Sequence, residues 1–336
     1  MIDRYSRQIL FPGIGEGGQK KISNSYVVLV GCGGLGTIIA SALVRAGVGR
    51  LRIIDRDFIE YHNLQRQALF DEEDIKSGLP KAIAAERHLK KVNSSVQIDG
   101  IVADVNYKNI ERFVRGANVI MDCLDNFETR FLINDVSLKL NIPWVYGGAI
   151  SSYGTTMTII PHETRCFRCV SPTQIRAGAI LTCDTAGVIS PAPWVIASLQ
   201  TAEALKLLVG SKDINRDLIM IDVWESTFHR IKTLPREDCP ACCGNYEFLS
   251  GKFGIKATSL CGQNAVQVVN TNIEKVSFEE LATRLKAIGK VTYNEFMLTF
   301  IVDSQEMVIF PDGRAIVKDT IDESLARGLY AKYIGT

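Results

Sequence analysis

The chain has 336 residues, a formal net charge of +1 and 46% apolar residues. That length and composition predict a globular protein with one large core or two moderate ones. Because the net charge is close to zero, nothing favours nucleic acid or an anionic membrane as the main partner, since both call for a basic surface.

We expect neither a secretory signal nor a membrane span in the first 44 residues. Asp3, Arg4 and Arg7 stand near the start without an apolar core after them, which excludes a secretory signal. The uncharged run over residues 26–44 is interrupted by glycines and predicts a strand, a turn and a helix rather than a membrane span. Nine cysteines without an export signal predict a reducing compartment, and the expected location is the cytoplasm.

Apolar strands alternate with amphipathic helices from residue 26 to about residue 160. The predicted strands are 26–30, 51–54, 96–101, 119–121 and 143–146. A helix is predicted over Lys81–Val92, because a proline directly before a helical pattern is a common start signal. This alternation is typical of an α/β fold with a doubly wound, mostly parallel sheet of Rossmann type.

A smaller domain is predicted at the C-terminus. Residues 170–182 are rich in Pro, Gly, Ser and Ala and predict a mobile loop, and a helix follows over residues 193–209. Further along, the pattern becomes that of a small α+β domain. Its predicted strands are 265–269, 297–302 and 306–310, and its predicted helices are 278–287 and 321–333. We therefore expect two domains, 1–245 and 246–336.

A glycine-rich loop follows the first strand. Its GCGGLG letters place glycines at Gly31, Gly33, Gly34 and Gly36. Glycine lets the backbone turn sharply and approach phosphate oxygens, while the next helix offers unpaired N–H groups and the positive end of its dipole. Asp55, at the end of the second strand, is placed to bind ribose hydroxyls. Taken alone, this loop predicts an NAD or FAD site.

Three charged residues further along favour a triphosphate over a nicotinamide. Arg66 can clamp phosphate oxygens with two hydrogen bonds, and Lys81 can neutralise charge as pyrophosphate leaves. Asp125 follows the strand at 119–121, where open α/β sheets place their ligands, and a carboxylate there suits Mg²⁺. Each residue alone could be a surface ion pair, but the set predicts an ATP site.

Together these motifs resemble the HesA/MoeB/ThiF family of ubiquitin-activating-like adenylyltransferases. The resemblance covers roughly residues 4–245. The matching motifs are RYSRQI, GCGGLG, AGVG, IIDRD, NLQRQ, PK, DCLDNFETR, CFRC, TCDTAGV and QTAEALKLL. This resemblance implies an enzyme that binds ATP with Mg²⁺ and adenylylates the C-terminal glycine of a ubiquitin-like sulfur carrier protein.

The resemblance also implies which residues form the site. The candidate nucleotide-binding residues are Gly31, Gly33, Gly34, Gly36, Asp55, Asp57, Asn63, Arg66, Lys81, Asp125 and Asn126. Arg7 falls on the arginine that, in the family, reaches the ATP phosphates from the neighbouring subunit, which implies a homodimer. The candidate catalytic residues are Arg7, Arg66, Lys81, Asp125 and Cys183.

Two CxxC pairs predict a structural metal site. Cys166 and Cys169 form one pair and Cys239 and Cys242 the other, and each pair can bind one side of a tetrahedral Zn²⁺ ion. All four also fall on the cysteine positions of the family. Cys243 follows Cys242 directly, so that either thiol could be the fourth ligand.

The remaining cysteines include one candidate for chemistry. Cys183 follows the predicted mobile loop, where a thiol can be reached by a substrate. By the resemblance, it is the cysteine that forms a covalent sulfur linkage to the carrier in thiazole-type members and is dispensable in some molybdopterin-type members. Cys32 and Cys123 are expected to be small buried residues, and the role of Cys261 stays open.

The leading function is adenylylation of a ThiS-like carrier for thiamine thiazole biosynthesis, because the tail after Asn245 resembles the thiazole subgroup of the family. One alternative is a MoeB-like enzyme that adenylylates the small subunit of molybdopterin synthase. Another, from a different class, is an NAD-dependent or non-catalytic nucleotide-binding module. Since the tail around Cys261 lacks the pattern of a rhodanese domain, sulfur is expected from a separate donor such as a cysteine desulfurase.

Overall fold

The computed structural model describes residues 3–171, 186–233, 236–252, 258–260, 265–269 and 276–334. These residues form two compact units, one made of the described residues up to 252 and the other of those from 258 onward. No helix within these ranges is both long and apolar enough to cross a membrane.

The first unit extends past the boundary expected at residue 245. Phe248 and Leu249 belong to the same buried cluster as Trp144. Their backbone N–H groups donate to one carboxylate oxygen of Asp135, at 2.9 and 3.3 Å. Because the side chains and the amides are both satisfied inside this unit, residues 246–252 are part of it.

An eight-stranded mixed sheet forms the centre of the first unit. Its strands are β1 (Tyr26–Val30), β2 (Arg50–Asp55), β3 (Gln97–Val102), β4 (Val119–Asp122), β5 (Trp144–Ile150), β6 (Tyr153–Ile159), β7 (Leu218–Asp222) and β8 (Thr227–Ile231). Their spatial order is β3-β2-β1-β4-β5-β6-β7-β8. The first five strands are parallel, and each pair from β5 onward is antiparallel. This arrangement confirms the predicted α/β fold with a mostly parallel sheet.

The strand order reverses between β1 and β4, and this position fixes where a ligand can bind. The chain runs outward from β1 to β3 on one side, then crosses to β4 on the other. Val30 at the end of β1 pairs with both Ile54 and Asp122. A crevice opens beyond the carboxyl ends of the strands at such a switch point, and open α/β sheets bind their ligands there.

Helices surround this sheet. They are α1 (Ser6–Ile9), α2 (Gly15–Ser23), α3 (Gly34–Ala46), α4 (Glu72–Lys76), α5 (Lys81–Val92), α6 (Ile110–Val114), α7 (Phe127–Leu140), α8 (Phe167–Val170) and α9 (Pro191–Val209). Residues of α6 and α7 pack on the face of the sheet that carries Val28 and Val30. Helix α3 contacts both α5 and α9, and all three helices contact strands. Helix α9 begins two residues before its predicted start, because prolines fit the first turn of a helix.

The second unit is a six-stranded antiparallel sheet with two helices. Its elements are β9 (Thr258–Leu260), β10 (Ala265–Val268), α10 (Phe278–Leu285), β11 (Lys290–Tyr293), β12 (Leu298–Val302), β13 (Gln305–Ile309), β14 (Ala315–Val317) and α11 (Glu323–Tyr333). The strand order is β11-β12-β13-β14-β10-β9. Both helices bury apolar side chains against one face of this sheet, including Leu281 and Tyr330.

Candidate nucleotide site and cysteine cluster

The glycine-rich loop closes tightly over the end of β1. Gly31 adopts a φ of +93°, a conformation that glycine reaches without steric cost. A Cβ atom at Gly31 would lie 2.6 Å from the carbonyl oxygen of Cys123, and one at Gly36 would lie 2.4 Å from the carbonyl oxygen of Gly31. Since α3 begins at Gly34, its unpaired N–H groups and the positive end of its dipole point into the switch-point crevice.

Asp55 holds this loop in place. One carboxylate oxygen accepts the backbone N–H of Cys32 at 2.6 Å, and the other accepts that of Asp57 at 2.7 Å. The residue is buried, with 9% of its surface exposed. The predicted ribose-binding acid therefore lies at the loop, and its first structural task is to fix the backbone there.

Lys81 lies among carboxylates beside the loop. Its ammonium group is 3.6 Å from a carboxylate oxygen of Asp57, and only 5% of the residue is exposed. Burial disfavours the charge, but the carboxylates of Asp57, Asp55 and Asp125 outweigh it and hold the pKa of Lys81 above its ordinary value. The structure thus places a charged lysine within electrostatic range of both predicted acids, Asp55 and Asp125.

Asp125 is exposed at the edge of the crevice. Among the described residues, no cationic group lies within salt-bridge distance of its carboxylate. Its neighbour Asn126 instead has a structural contact, because the side-chain oxygen of Asn126 accepts the backbone N–H of Thr129 and caps α7. The structure therefore supplies a free carboxylate at Asp125, and a helix cap at Asn126.

Two arginines near Asp125 were not among the residues predicted from the sequence. Arg130 forms a buried ion pair with Asp122 at 3.1 Å and donates to the carbonyl oxygen of Gly147 at 2.9 Å. Arg56 pairs with Asp104 at 2.7 Å. Both arginines interact electrostatically with Asp125. Arg130 and its partner Asp122 lie inside one motif, DCLDNFETR, which therefore contained the signal. Arg56 lies in IIDRD, but its partner Asp104 is 48 residues further along the chain.

Arg66 lies over the start of α3. A Cβ atom at Gly34 would be 3.6 Å from Cγ of Arg66. The guanidinium donates to the carbonyl oxygen of His62 at 2.8 Å, and it forms no salt bridge with a carboxylate among the residues that the structure describes. Asn63 is buried and its side-chain oxygen accepts the backbone N–H of Glu60 at 3.1 Å. Asn63 therefore shapes the turn, and Arg66 extends from it.

Arg7 lies far from the glycine loop of its own chain. It is exposed on α1, and the side chain of the next residue, Gln8, donates to the carbonyl oxygen of Ala46 at 2.9 Å. Ala46 is the last residue of α3, a helix of 13 residues, so it lies about 18 Å from Gly34 along the helix axis. Arg7 is thus next in sequence to a residue that is anchored at the end of α3 opposite to the crevice.

Four cysteines meet in a separate cluster. The Sγ atoms of Cys166, Cys169, Cys239 and Cys242 all lie within 4.8 Å of one another, with contacts of 3.4 to 3.7 Å. Cys243 is exposed, and its thiol donates instead to the carbonyl oxygen of Glu237 at 3.6 Å. Of the two thiols left open by the sequence, the structure places that of Cys242 in the cluster.

Cys32 and Cys123 lie outside this four-cysteine cluster. Cys32 and Cys123 are buried, as the sequence analysis expected. Burial raises the pKa of both thiols above the ordinary value, and nearby carboxylates add to the effect. Cys183 and Cys261 lie outside the described residues, so their predicted roles stay predictions.

Residues 5–241 match the protein family described as the ThiF family. This chain belongs to the ThiF family. It is 43% identical over 339 residues to the sulfur carrier protein ThiS adenylyltransferase of Bacillus subtilis, and the match covers 100% of both chains. The sulfur carrier protein adenylyltransferase of Thermus thermophilus is 36% identical over 72% of this chain and 90% of its own.

The fold is also similar to that of a solved structure. A crystal structure of Escherichia coli MccB with ATP is 25% identical, covers 72% of this chain and 75% of that chain, and has a TM-score of 0.64. The predicted family and its α/β fold are therefore confirmed. Because the curated relatives are adenylyltransferases, the NAD-dependent alternative loses its support.

Proposed function

We propose that this protein uses ATP to adenylylate the C-terminal carboxylate of a ThiS-like ubiquitin-like sulfur carrier protein, in thiamine thiazole biosynthesis. One observation carries the proposal: Arg66 lies beside Gly34 of a glycine loop, and Lys81 is within electrostatic range of Cys32 in that loop and of the free carboxylate of Asp125. Two cations and a carboxylate at a phosphate loop suit a triphosphate with its Mg²⁺ ion.

The chemistry needs no protein nucleophile in its first step. A carrier carboxylate oxygen attacks the α-phosphorus of ATP, the bond from that phosphorus to the bridging oxygen breaks, and pyrophosphate leaves with the electron pair. The loop amides, Arg66 and Lys81 hold the phosphates and neutralise the charge that develops on them. Asp125 would hold Mg²⁺, which when bound screens the phosphate oxygens. The product is a carrier acyl-adenylate.

Asp55 and Asp57 complete the nucleotide site in this proposal. Asp55 keeps the loop closed through the Cys32 amide and accepts a ribose hydroxyl with its remaining lone pairs. Asp57 pairs with Lys81 at 3.6 Å, so it keeps the ammonium group in place before ATP arrives. Both roles follow from carboxylates fixed at the end of β2.

The distance between Arg7 and its own loop supports a homodimer. An arginine held at the far end of α3 cannot reach phosphates bound at the start of that helix. In a two-fold symmetric dimer, the same residue can reach the partner's site. We therefore propose that each site is completed by Arg7 of the partner subunit.

The cysteine cluster fits Zn²⁺. Four sulfurs at about 2.3 Å from a tetrahedral ion lie about 3.8 Å apart. The observed contacts of 3.4 to 3.7 Å are close to that value and far longer than a disulfide bond. A closed site with four thiolates is structural, and here it would join the segment around α8 to the segment that leads to Phe248.

The carrier is assigned from the length of the match. The Bacillus subtilis relative, which acts on ThiS by its name, matches the whole chain, including the second unit, whereas the Thermus thermophilus relative covers 72% of it. Sulfur would then come from a separate donor such as a cysteine desulfurase, and Cys183 would form a covalent sulfur linkage to the carrier. We expect these steps to take place in the cytoplasm.

The test is ATP–pyrophosphate exchange with purified carriers. Exchange that depends on a ThiS-type carrier supports the proposal. Exchange only with the small subunit of molybdopterin synthase would transfer the assignment to the alternative pathway. If neither carrier supports exchange, adenylylation is the wrong reaction. Cys183→Ala should leave exchange intact and block thiocarboxylate formation, which mass spectrometry of the carrier detects.

A further inference from the structure

Trp194 makes a long-range contact that packing alone does not explain. It lies in the first turns of α9 and keeps 39% of its surface exposed, whereas Trp144 is fully buried. Its indole Nε1–H donates to the carbonyl oxygen of Arg66 at 2.9 Å, across 128 residues of sequence. A tryptophan that leaves much of its ring outside the core contributes here chiefly through its polar edge.

Three segments of the chain meet at this contact. A Cβ atom at Gly34 would lie 3.4 Å from Cβ of Pro193 and 3.6 Å from Cγ of Arg66. The start of α9, the turn that carries Arg66 and the start of α3 are therefore in contact. Because proline has a fixed φ, the backbone that precedes Trp194 is stiff. The indole is thus held on a rigid support beside the phosphate loop.

The turn that carries Arg66 has a second tie to the same region. The side chain of Gln65 donates to the carbonyl oxygen of Val188 at 3.4 Å. Residues on each side of Val188 are bonded to Ser151, through Gly187 at 2.8 Å and Ile189 at 3.0 Å. The segment just before α9 is therefore fixed to the β5–β6 hairpin, and it reinforces the position of Trp194.

The guanidinium of Arg66 depends on this backbone for its direction. Within the described ranges no carboxylate pairs with it, and its hydrogen bond goes to the His62 carbonyl oxygen of its own turn. A long side chain that must be ordered on binding lowers the affinity for its ligand. Whatever fixes the turn therefore fixes the base of this side chain, whose Cγ atom lies beside Gly34 of the loop.

We propose that Trp194 is a positioning residue for Arg66. Its indole N–H holds the Arg66 carbonyl group, and so fixes before ATP binds the turn from which the Arg66 side chain extends past the start of α3. This inference rests on the proposed function for its meaning in catalysis, but its first effect is on ATP binding, which needs no carrier protein.

A double-mutant cycle on the full-length protein tests this inference. Trp194→Phe keeps an aromatic ring and removes the N–H donor, and it is measured alone and together with Arg66→Ala. Trp224→Phe is the matched control, since Trp224 is 75% exposed and lies in the turn after β7. The dissociation constant for ATP is measured by equilibrium dialysis with labelled ATP, and KM and kcat are measured by pyrophosphate exchange.

Losing one hydrogen bond should weaken ATP binding about fivefold in the Trp194→Phe protein. The rise should appear in KM for ATP more than in kcat, and it should fall below about twofold when Arg66 is already alanine. Trp224→Phe should change neither constant. An equal loss with and without Arg66, or no loss at all, would overturn the positioning role.

The two proposals fail in different ways. A wild-type protein that binds ATP but exchanges no pyrophosphate with either carrier contradicts the proposed function, and the binding cycle still decides the role of Trp194. Conversely, additive effects in the cycle of an enzyme that exchanges normally contradict only the positioning role.

Discussion

At the scale of single residues, the site separates groups that hold the backbone from groups that are free to meet a ligand. Asp55 and Asn63 have side-chain oxygens that already accept backbone N–H groups. Arg66 and Asp125 have no ionic partner among the described residues. Because their charges are not committed to an ion pair there, they are available to a charged ligand, and these two are the residues to test first.

Asp125→Ala should lower carrier-dependent pyrophosphate exchange by roughly 100-fold or more, since it removes one preorganised contact of the transition state. The reason is the loss of the carboxylate that would hold Mg²⁺ at the phosphates. Exchange rates at saturating ATP and Mg²⁺ give the measurement. Asp213→Ala, an exposed carboxylate beyond the far end of α9, should exchange at the wild-type rate. Near-normal exchange in the Asp125→Ala protein would contradict the magnesium assignment.

How far these residues could be predicted depends on whether their partners are local. Glycines and the lysine after Pro80 were placed by short motifs, because a turn and a helix start are set by neighbouring residues. The pairing of Arg56 with Asp104 spans 48 residues, and no local pattern contains it. Likewise, adjacent thiols at Cys242 and Cys243 look alike in sequence, and only the fold brings one of them to the cluster.

At the scale of elements, local sequence fixed the strands and helices of the parallel half well. Strand β1 and helix α5 have the bounds that were predicted for them. The antiparallel edge was missed for physical reasons. The buried residues of strand β6 include two threonines, Thr156 and Thr158, which a hydropathy pattern counts as polar. Strand β8 is exposed along its whole length and has no buried face. Neither strand therefore shows an alternation of apolar and polar residues.

Helix α7 links the two segments that carry the cysteine pairs. The side-chain oxygen of Asn134 accepts the backbone N–H of Phe167 at 2.7 Å, next to Cys166. Asp135 accepts those of Phe248 and Leu249, beyond the second pair. Helix α7 and the proposed zinc ion therefore join the same two segments. Loss of the zinc ion should weaken the hydrogen bonds between α7 and these segments, and loss of those hydrogen bonds should weaken zinc binding.

The zinc site predicts a loss of metal and stability in Cys169→Ser. Elemental analysis should find about one zinc per chain in the wild type and little in this variant, because a closed four-thiolate site depends on every ligand. The melting temperature should fall with the metal. Cys243→Ser is the matched control, and it should keep both. A folded wild-type protein without metal would rule the site out.

Asp135 predicts a pH effect on stability. Burial raises its pKa to about 6, and the backbone N–H groups of Phe248 and Leu249, with the nearby Arg168, only partly oppose this, whereas the unfolded chain has a value of about 4. The folded state therefore binds the proton of Asp135 more tightly than the unfolded chain does. The stability that the protonated carboxyl group contributes is present below pH 4 and is lost as the pH rises through 6. Asp135→Asn keeps an acceptor oxygen but cannot ionise.

The difference in unfolding free energy between Asp135→Asn and the wild type should thus rise by about 2 kcal/mol from pH 4 to pH 7. Thermal or urea unfolding at each pH measures it, and acid release of zinc affects both proteins alike. Asp99→Asn should show the opposite sign, because the hydrogen bond from Arg50 outweighs partial burial and lowers the pKa of Asp99. A constant difference across this range would contradict the raised pKa.

At the scale of the whole molecule, the proposed nucleotide site of one chain is completed by a third cation near the phosphates. In the proposed homodimer that cation is Arg7 of the partner subunit, as the resemblance to the family implies, because the next residue, Gln8, is bonded to Ala46 at the end of α3 away from the crevice of its own chain. A site that is complete only in an assembly links activity to the oligomeric state.

Mixed dimers test this arrangement directly. Arg7→Ala and Asp125→Ala should each be nearly inactive alone, but a hybrid of the two has one site with both residues intact. Random pairing of equal amounts of the two variants makes half of the dimers hybrid, and each hybrid has one intact site of two. Mixing should therefore restore about a quarter of wild-type exchange. Mixing Asp125→Ala with Lys81→Ala is the control, because both residues belong to the same subunit's site and no intact site can form. Recovery in the first mixture alone would show that Arg7 acts across the interface, whereas no recovery in either would assign it to its own chain or to no catalytic role.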